Sequence, residues 1–286
     1  MAGKTDQKLK HTHISSEHRL LDLHLGELFG YRDLILLYTR RSLVVTFKQT
    51  LLGPLWLVLG PFITSVVYMI IFGKVAGLAQ DGVPQILFYL YSNAAWSFTQ
   101  MIVTQNSDTF SQNAAIYGKV YFPRLAIPLS NILVALIQFA IQFVFACAFA
   151  VYYASAQGFD MTFARFPVII LVLLEMAALG LGVGLIVSGL SNTYKDLRLA
   201  INFAVRLWMF LTPVVYPLTQ IPGGALRWVM LINPATAPME CLRWCLWDKC
   251  TVPMWNIFYS AGFICVLLFA GLVLFSRVER TFMDTV

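Results

Sequence analysis

Charge is what this chain has least of. Only 12% of its 286 residues are Asp, Glu, Lys or Arg, and 59% are hydrophobic, whereas a soluble domain is roughly 25% charged. From Gln49 to Gly73 no charged residue occurs at all, a run long enough to cross a bilayer. This excludes a soluble domain and predicts an all-α polytopic membrane protein. No Walker A loop is present: Gly3-Lys4-Thr5 has neither the earlier glycine nor the preceding strand that cradling a phosphate requires. Ser-His-Asp, HExxH and Asp-rich loop motifs are missing too. The acids are scattered singly, unlike the clustered carboxylates of a membrane enzyme acting on lipid-linked sugars. Cys147, Cys241, Cys245, Cys250 and Cys265 match no zinc spacing. Cys147 and Cys265 lie in apolar runs as packing residues, and the other three are expected as free thiols. The polar tail, residues 1–25, has no apolar core and does not resemble a secretory signal. Its histidines have no Cys or paired carboxylate beside them, so no metal site is expected.

What is present is organised around Tyr31 to Pro61. The first part carries Arg32, Asp33, Arg40, Arg41 and Lys48, and then charge stops. Gly53-Pro54 marks the change, since proline is tolerated at a helix start and punctuates a helix elsewhere. This predicts an interfacial helix over 31–52, a sharp turn, and the first of six spans. Asp33, Arg40, Arg41 and Lys48 fall within an arc of roughly 100° on that helix. Leu37 and Val44 share the arc, so the amphipathicity is modest. Such a basic helix is suited to phosphate head groups.

Uncharged runs place the spans at about 54–72, 84–104, 127–153, 166–188, 199–216 and 255–275, all within one transmembrane domain, 26–286. Six spans put both termini on one side. That side carries fifteen of the 20 Lys and Arg residues, so the termini are expected to be cytoplasmic. The net charge of +6 therefore reflects membrane orientation, and nucleic acid is not an expected partner. Two cytoplasmic connections stand out, NAAIYGKVYFPR (113–124) and SNTYKDLR (191–198). The external stretch from Pro217 to Pro238 is too apolar for an ordinary loop and too broken by Pro217, Pro222, Gly223, Gly224 and Pro234 for a span. It is read as short re-entrant helices capping a path, with Pro217, Pro222, Gly223, Trp228 and Pro234 as gate residues; such backbone is tolerated at depth only against protein or a water-filled cavity. Glu175, near mid-span, is expected as a neutral or hydrogen-bonded group between packed helices. Gly180, Gly182 and Gly184 permit close helix contact, and Arg206 is expected to snorkel. Trp56, Tyr68, Tyr91, Trp96 and Trp208 are candidates for stacking on sugar rings along a path, against their ordinary use as membrane anchors.

TRRSLVVTFKQTLLGPLW, NAAIYGKVYFPRLAIPLSN and the terminal RVERTFMDTV resemble the permease subunits of type-2 ABC exporters for polysaccharides such as O-antigen, capsule or teichoic acid. The resemblance runs from about Gly30 to Val286. It implies a homodimer in the bacterial inner membrane and a cytoplasmic ABC ATPase dimer. It further implies that ATP and Mg are held by that partner and that this chain has no cofactor and no enzymatic activity of its own. It also implies that 113–124 meets the ATPase, through Gly118, Lys119, Tyr121, Phe122, Pro123 and Arg124, with Asp196 of the next cytoplasmic connection. The substrate is then a polysaccharide on a polyprenyl-pyrophosphate carrier, attracted at its pyrophosphate by Arg40, Arg41 and Lys48. Alternatives are a type-2 permease for another lipid or a drug, and a proton-coupled secondary transporter using Glu175. The latter calls for inverted repeats and broken mid-membrane helices, and the sequence shows neither.

Overall fold

A computed structural model describes residues 25–78, 82–117, 122–158, 165–191, 194, 196–248 and 251–285. Regular structure among them is helical throughout. Helices α1 (Leu25–Gly30) and α2 (Arg32–Phe47) precede a break where Lys48 is extended and Gln49 and Gly53 take positive φ. The interfacial helix is thus shorter than 31–52, because the Lys48 N–H closes the last turn on the Val44 carbonyl and the chain then turns away. Gly53-Pro54-Leu55 forms a 3₁₀ turn with proline at its start. It leads into α3 (Trp56–Tyr68), which continues as a π-helical stretch, Met69–Val75.

Helix α4 (Gln85–Ser107) runs through the interior, packed by α3, α6 (Ala126–Gln157), α7 (Phe166–Ser191), α8 (Leu197–Phe210) and α10 (Thr236–Trp247). Helix α5 (Thr109–Tyr117) follows α4 directly, α9 (Ala225–Ile232) precedes α10, and α11 (Met254–Thr285) lies against α7. Polar ties join α3 to α4: Asn93 Nδ2 donates to the Pro61 carbonyl at 3.1 Å and Ser65 Oγ to the Tyr89 carbonyl at 3.3 Å.

Glycine lets α7 pack closely on two faces. A Cβ on Gly180 would sit 2.9 Å from Ile102 Cβ, and one on Gly184 2.7 Å from Asn106 Cβ, both on α4. On the other face, a Cβ on Gly182 would meet the Leu268 backbone nitrogen at 3.0 Å, and one on Gly271 the Gly182 carbonyl at 2.7 Å. Small residues let backbones approach where lipid gives no hydrophobic drive. Glu175, on the same helix, has its Oε1 buried with no hydrogen-bond partner among the described residues, and Ser260 Oγ of α11 donates instead to the Pro234 carbonyl at 2.6 Å.

Among the described residues, four helical stretches are long and apolar enough to cross a membrane: Gly53–Val75, Ala126–Ala156, Phe166–Ser191 and Met254–Val278. The other two expected spans differ for physical reasons. α4 has the length, but it is surrounded by protein and carries Asn93, Gln100, Gln105 and Asn106 in place of a lipid-facing surface. α8, expected over 199–216, stops at Phe210. At 1.5 Å per residue it is about 21 Å long, short of the roughly 30 Å hydrocarbon layer.

Candidate functional site

Thr39 anchors α2. It is buried, and its hydroxyl donates to the Ile35 carbonyl at 2.8 Å and approaches the Ser130 carbonyl of α6 at 3.5 Å. With that face seated, Tyr38, Arg41, Ser42, Val45 and Thr46 border a cleft of about 390 Å³. Gln105 of α4, Gln112 and Asn113 of α5, and Ile127, Ser130 and Asn131 of α6 complete it. Asn131 Nδ2 donates to Asn106 Oδ1 at 3.0 Å, while Gln105 Oε1 and Asn106 Nδ2 are buried with no partner among the described residues. Gln112 leans on Asp108 at 3.4 Å, and Asp108 pairs with Arg198 at 3.7 Å, so that carboxylate is already matched. The cleft therefore offers one guanidinium among carboxamides and hydroxyls, a set suited to a phosphate beside sugar hydroxyls.

The structure separates the three basic candidates. Arg41 lines the cleft. All three are exposed, and Arg40 and Lys48 lie outside the cleft lining. Of the five aromatic candidates, Trp56 is half exposed. Tyr91 and Trp96 are each 1% exposed. Tyr91 donates to Cys147 Sγ at 3.3 Å and packs on Phe143 and Trp247. Trp96 meets Trp208 edge to face at 5.7 Å. Both fill the chain's own core and present no face for a sugar. Trp208 Nε1 donates to Asn233 Oδ1 at 2.9 Å, and Tyr68 OH reaches Met209 Sδ at 3.5 Å.

Of the coupling residues, Gly118, Lys119 and Tyr121 lie outside the described residues. Phe122 is buried against Tyr117 and Tyr38, with ring centroids 5.6 and 6.1 Å away, and Arg124 stacks over the Tyr117 ring at 5.3 Å. Phe122 is thus an anchor of this connection and not part of an open docking surface. Pro123 is half-buried, and Asp196 is exposed just before α8.

At the far end, the expected punctuation sets the element limits. Pro217 is extended and opens a 3₁₀ turn, Leu218–Gln220; Pro222, Gly223 and Gly224 (φ +120°) break the chain before α9; Pro234 separates α9 from α10. Leu218, Ile221, Met230, Leu231 and Val252 form a small core of their own, while Trp228 faces outward beside Trp255. Asn233 Nδ2 donates to the Leu211 carbonyl (2.8 Å) and to Thr212 Oγ1 (2.9 Å), closing the end of α8. Sequence reading missed one feature here: Arg243 and Glu240 are a buried pair on α10 and not loop charges. Their i,i+3 spacing inside an apolar Cys-Leu-Trp stretch was the available signal.

A membrane-embedded helical bundle with a polar cleft at its basic end and a short-helix cap at the other has the make-up of a transport subunit. A family model for ABC-2 type transporters matches residues 33–247, and the chain belongs to that family. It is similar to the O-antigen export system permease protein RfbA of Myxococcus xanthus, 24% identical over 262 residues, covering 91% of this chain and 98% of the relative. Two Klebsiella pneumoniae proteins of the same name are 25% and 26% identical over 263 residues, each covering 91% of this chain and 96% of the relative.

Proposed function

We propose that this chain is the path-forming subunit of an ATP-driven exporter that moves a lipid-linked polysaccharide, O-antigen on a polyprenyl-pyrophosphate carrier, out across the bacterial inner membrane. The observation that carries this is similarity to three O-antigen export permeases along nearly their whole length. In this reading α4 and α8 complete a six-span topology, with α8 extended by the re-entrant turn that follows it, and both termini are cytoplasmic. The basic end is then the cytoplasmic face, and α9–α10 is the outer closure. α4 fills the interior of a single chain, so the glycan path requires a second copy to supply its other wall. Arg41 receives the pyrophosphate in the cleft, while Arg40 and Lys48 raise the local potential for an anionic lipid. A separate ATPase dimer docks around 113–124 and drives the cycle.

Expression with its ATPase, in an O-antigen-producing bacterium deleted for its own export permease, should restore surface O-antigen. The purified chain alone should turn over no ATP. An inserted, assembled complex that leaves the lipid-linked glycan inside overturns the reading. Phe122→Ala should leave insertion intact and lower export several-fold while ATPase activity continues, because the connection loses its anchor between Tyr38 and Tyr117. Unchanged glycan exported per ATP consumed refutes that role.

A further inference from the structure

Two charged side chains sit in the core with no part in the cleft. Arg243 is 5% exposed and Glu240 2%. Their contacts tie α10 to three other segments. Arg243 Nη1 donates to Glu240 Oε1 at 2.6 Å; Nη2 donates to Ser92 Oγ of α4 at 2.9 Å and also to the Pro213 carbonyl, while the guanidinium lies 4.2 Å from the centre of the Phe88 ring. Glu240 Oε2 accepts from Thr251 Oγ1, just before α11, at 2.7 Å.

The Pro213 contact explains why a charge is tolerated there. α8 ends at Phe210, and residues 212–215 form a buried non-helical turn. Backbone carbonyls in such a turn have no helical partner and must find one inside the protein. Asn233 caps the Leu211 carbonyl from the α9 side, and Arg243 caps Pro213 from α10. Only the arginine also reaches Ser92 on α4. A buried ion pair broken at one partner leaves an uncompensated charge, so it has discrete made and unmade states.

We propose that the Glu240–Arg243 pair is a latch that seats the α9–α10 closure on α4 and on the end of α8. The closure then lifts off as a unit when Arg243 leaves Ser92 and Pro213. Arg243 is a positioning residue: it acts on the path through the closure. The proposal rests on reading 217–247, which holds α9 and α10, as that closure.

The test is thiol labelling in a background with all five native cysteines replaced by alanine, in permeabilised membranes so that both faces meet the reagent. One cysteine replaces Leu218, in the closure's own core. A control replaces Ser188 near the basic end. Both native side chains are fully buried. Arg243→Gln should speed labelling at 218 about tenfold and at 188 less than twofold, since a segment opens locally as readily as the interactions holding it shut allow. Ser92→Ala keeps the ion pair and the Phe88 contact and removes only the hydrogen bond to α4; it should speed labelling at 218 by about threefold. An unchanged rate at 218 in Arg243→Gln, or equal acceleration at both positions, overturns the latch. Neither readout needs substrate or ATPase, so failure of the export reading would show separately, in the surface glycan.

Discussion

Gly271→Leu is expected to remove nearly all folded protein from the membrane. A Cβ at Gly271 would stand 2.7 Å from the Gly182 carbonyl and 3.3 Å from Leu185 Cβ. The first obstacle is backbone, which cannot rotate aside as a side chain can, so α7 and α11 must separate. Separation is costly because α7 also holds α4 through Gly180 and Gly184 on its opposite face, and packing is the main force between helices in lipid. Gly271→Ala should already lose about 1–3 kcal/mol, the usual cost of overpacking, and leucine considerably more. Gly262 on the same helix is the control, since a Cβ there meets nothing within 4 Å. Gly262→Leu should give normal yield and a normal size-exclusion profile in detergent. If Gly271→Leu matches Gly262→Leu in yield and melting temperature, the close α7–α11 approach is wrong.

Gly180, Gly182 and Gly184 were legible because an intramembrane glycine has few uses besides a turn or a close contact; their partner Gly271 was not singled out. The breaks at Gly53-Pro54, Pro217, Pro222-Gly223 and Pro234 were legible for the same kind of reason: proline and glycine act on their own backbone. What depends on partners far along the chain was not. Trp96 and Tyr91 read as membrane anchors or as path lining, and only the approach of Trp208, Phe143 and Trp247 shows them in the core. The surroundings of Arg243 were not legible, because nothing near it in sequence shows that Ser92 lies 2.9 Å away. The end of α8 was overshot because no breaker occurs before Pro213, and what ends it is the capping of its last carbonyls by Asn233. Arg40 and Arg41 are neighbours in sequence, and the arc they share on α2 is wide enough to straddle the cleft rim.

That last separation leads to the sharpest expected contrast in export. Arg41→Gln should lower surface glycan by ten- to a hundredfold, corresponding to the roughly 1.5–3 kcal/mol of a hydrogen bond to a charged group. Arg41→Glu should lower it further, because it places repulsion where the pyrophosphate is to sit. Arg40→Gln, outside the cleft lining, should stay within about twofold, since a charge not in contact with the head group adds only a screened attraction. The two substitutions cost the same charge at adjacent positions, so any effect through membrane orientation would strike both alike. Gln105→Leu adds a second contrast without a change of charge. Its Oε1 is buried without a partner beside the cleft, where a sugar hydroxyl would satisfy it, and its loss should reduce export several-fold with topology unchanged. Topology is checked with reporters fused to the C-terminus, and assembly by co-purification with the ATPase. Equal losses for Arg40→Gln and Arg41→Gln in correctly inserted, assembled complexes would assign the basic residues of α2 to general surface potential and leave the cleft without a role in recognising the head group.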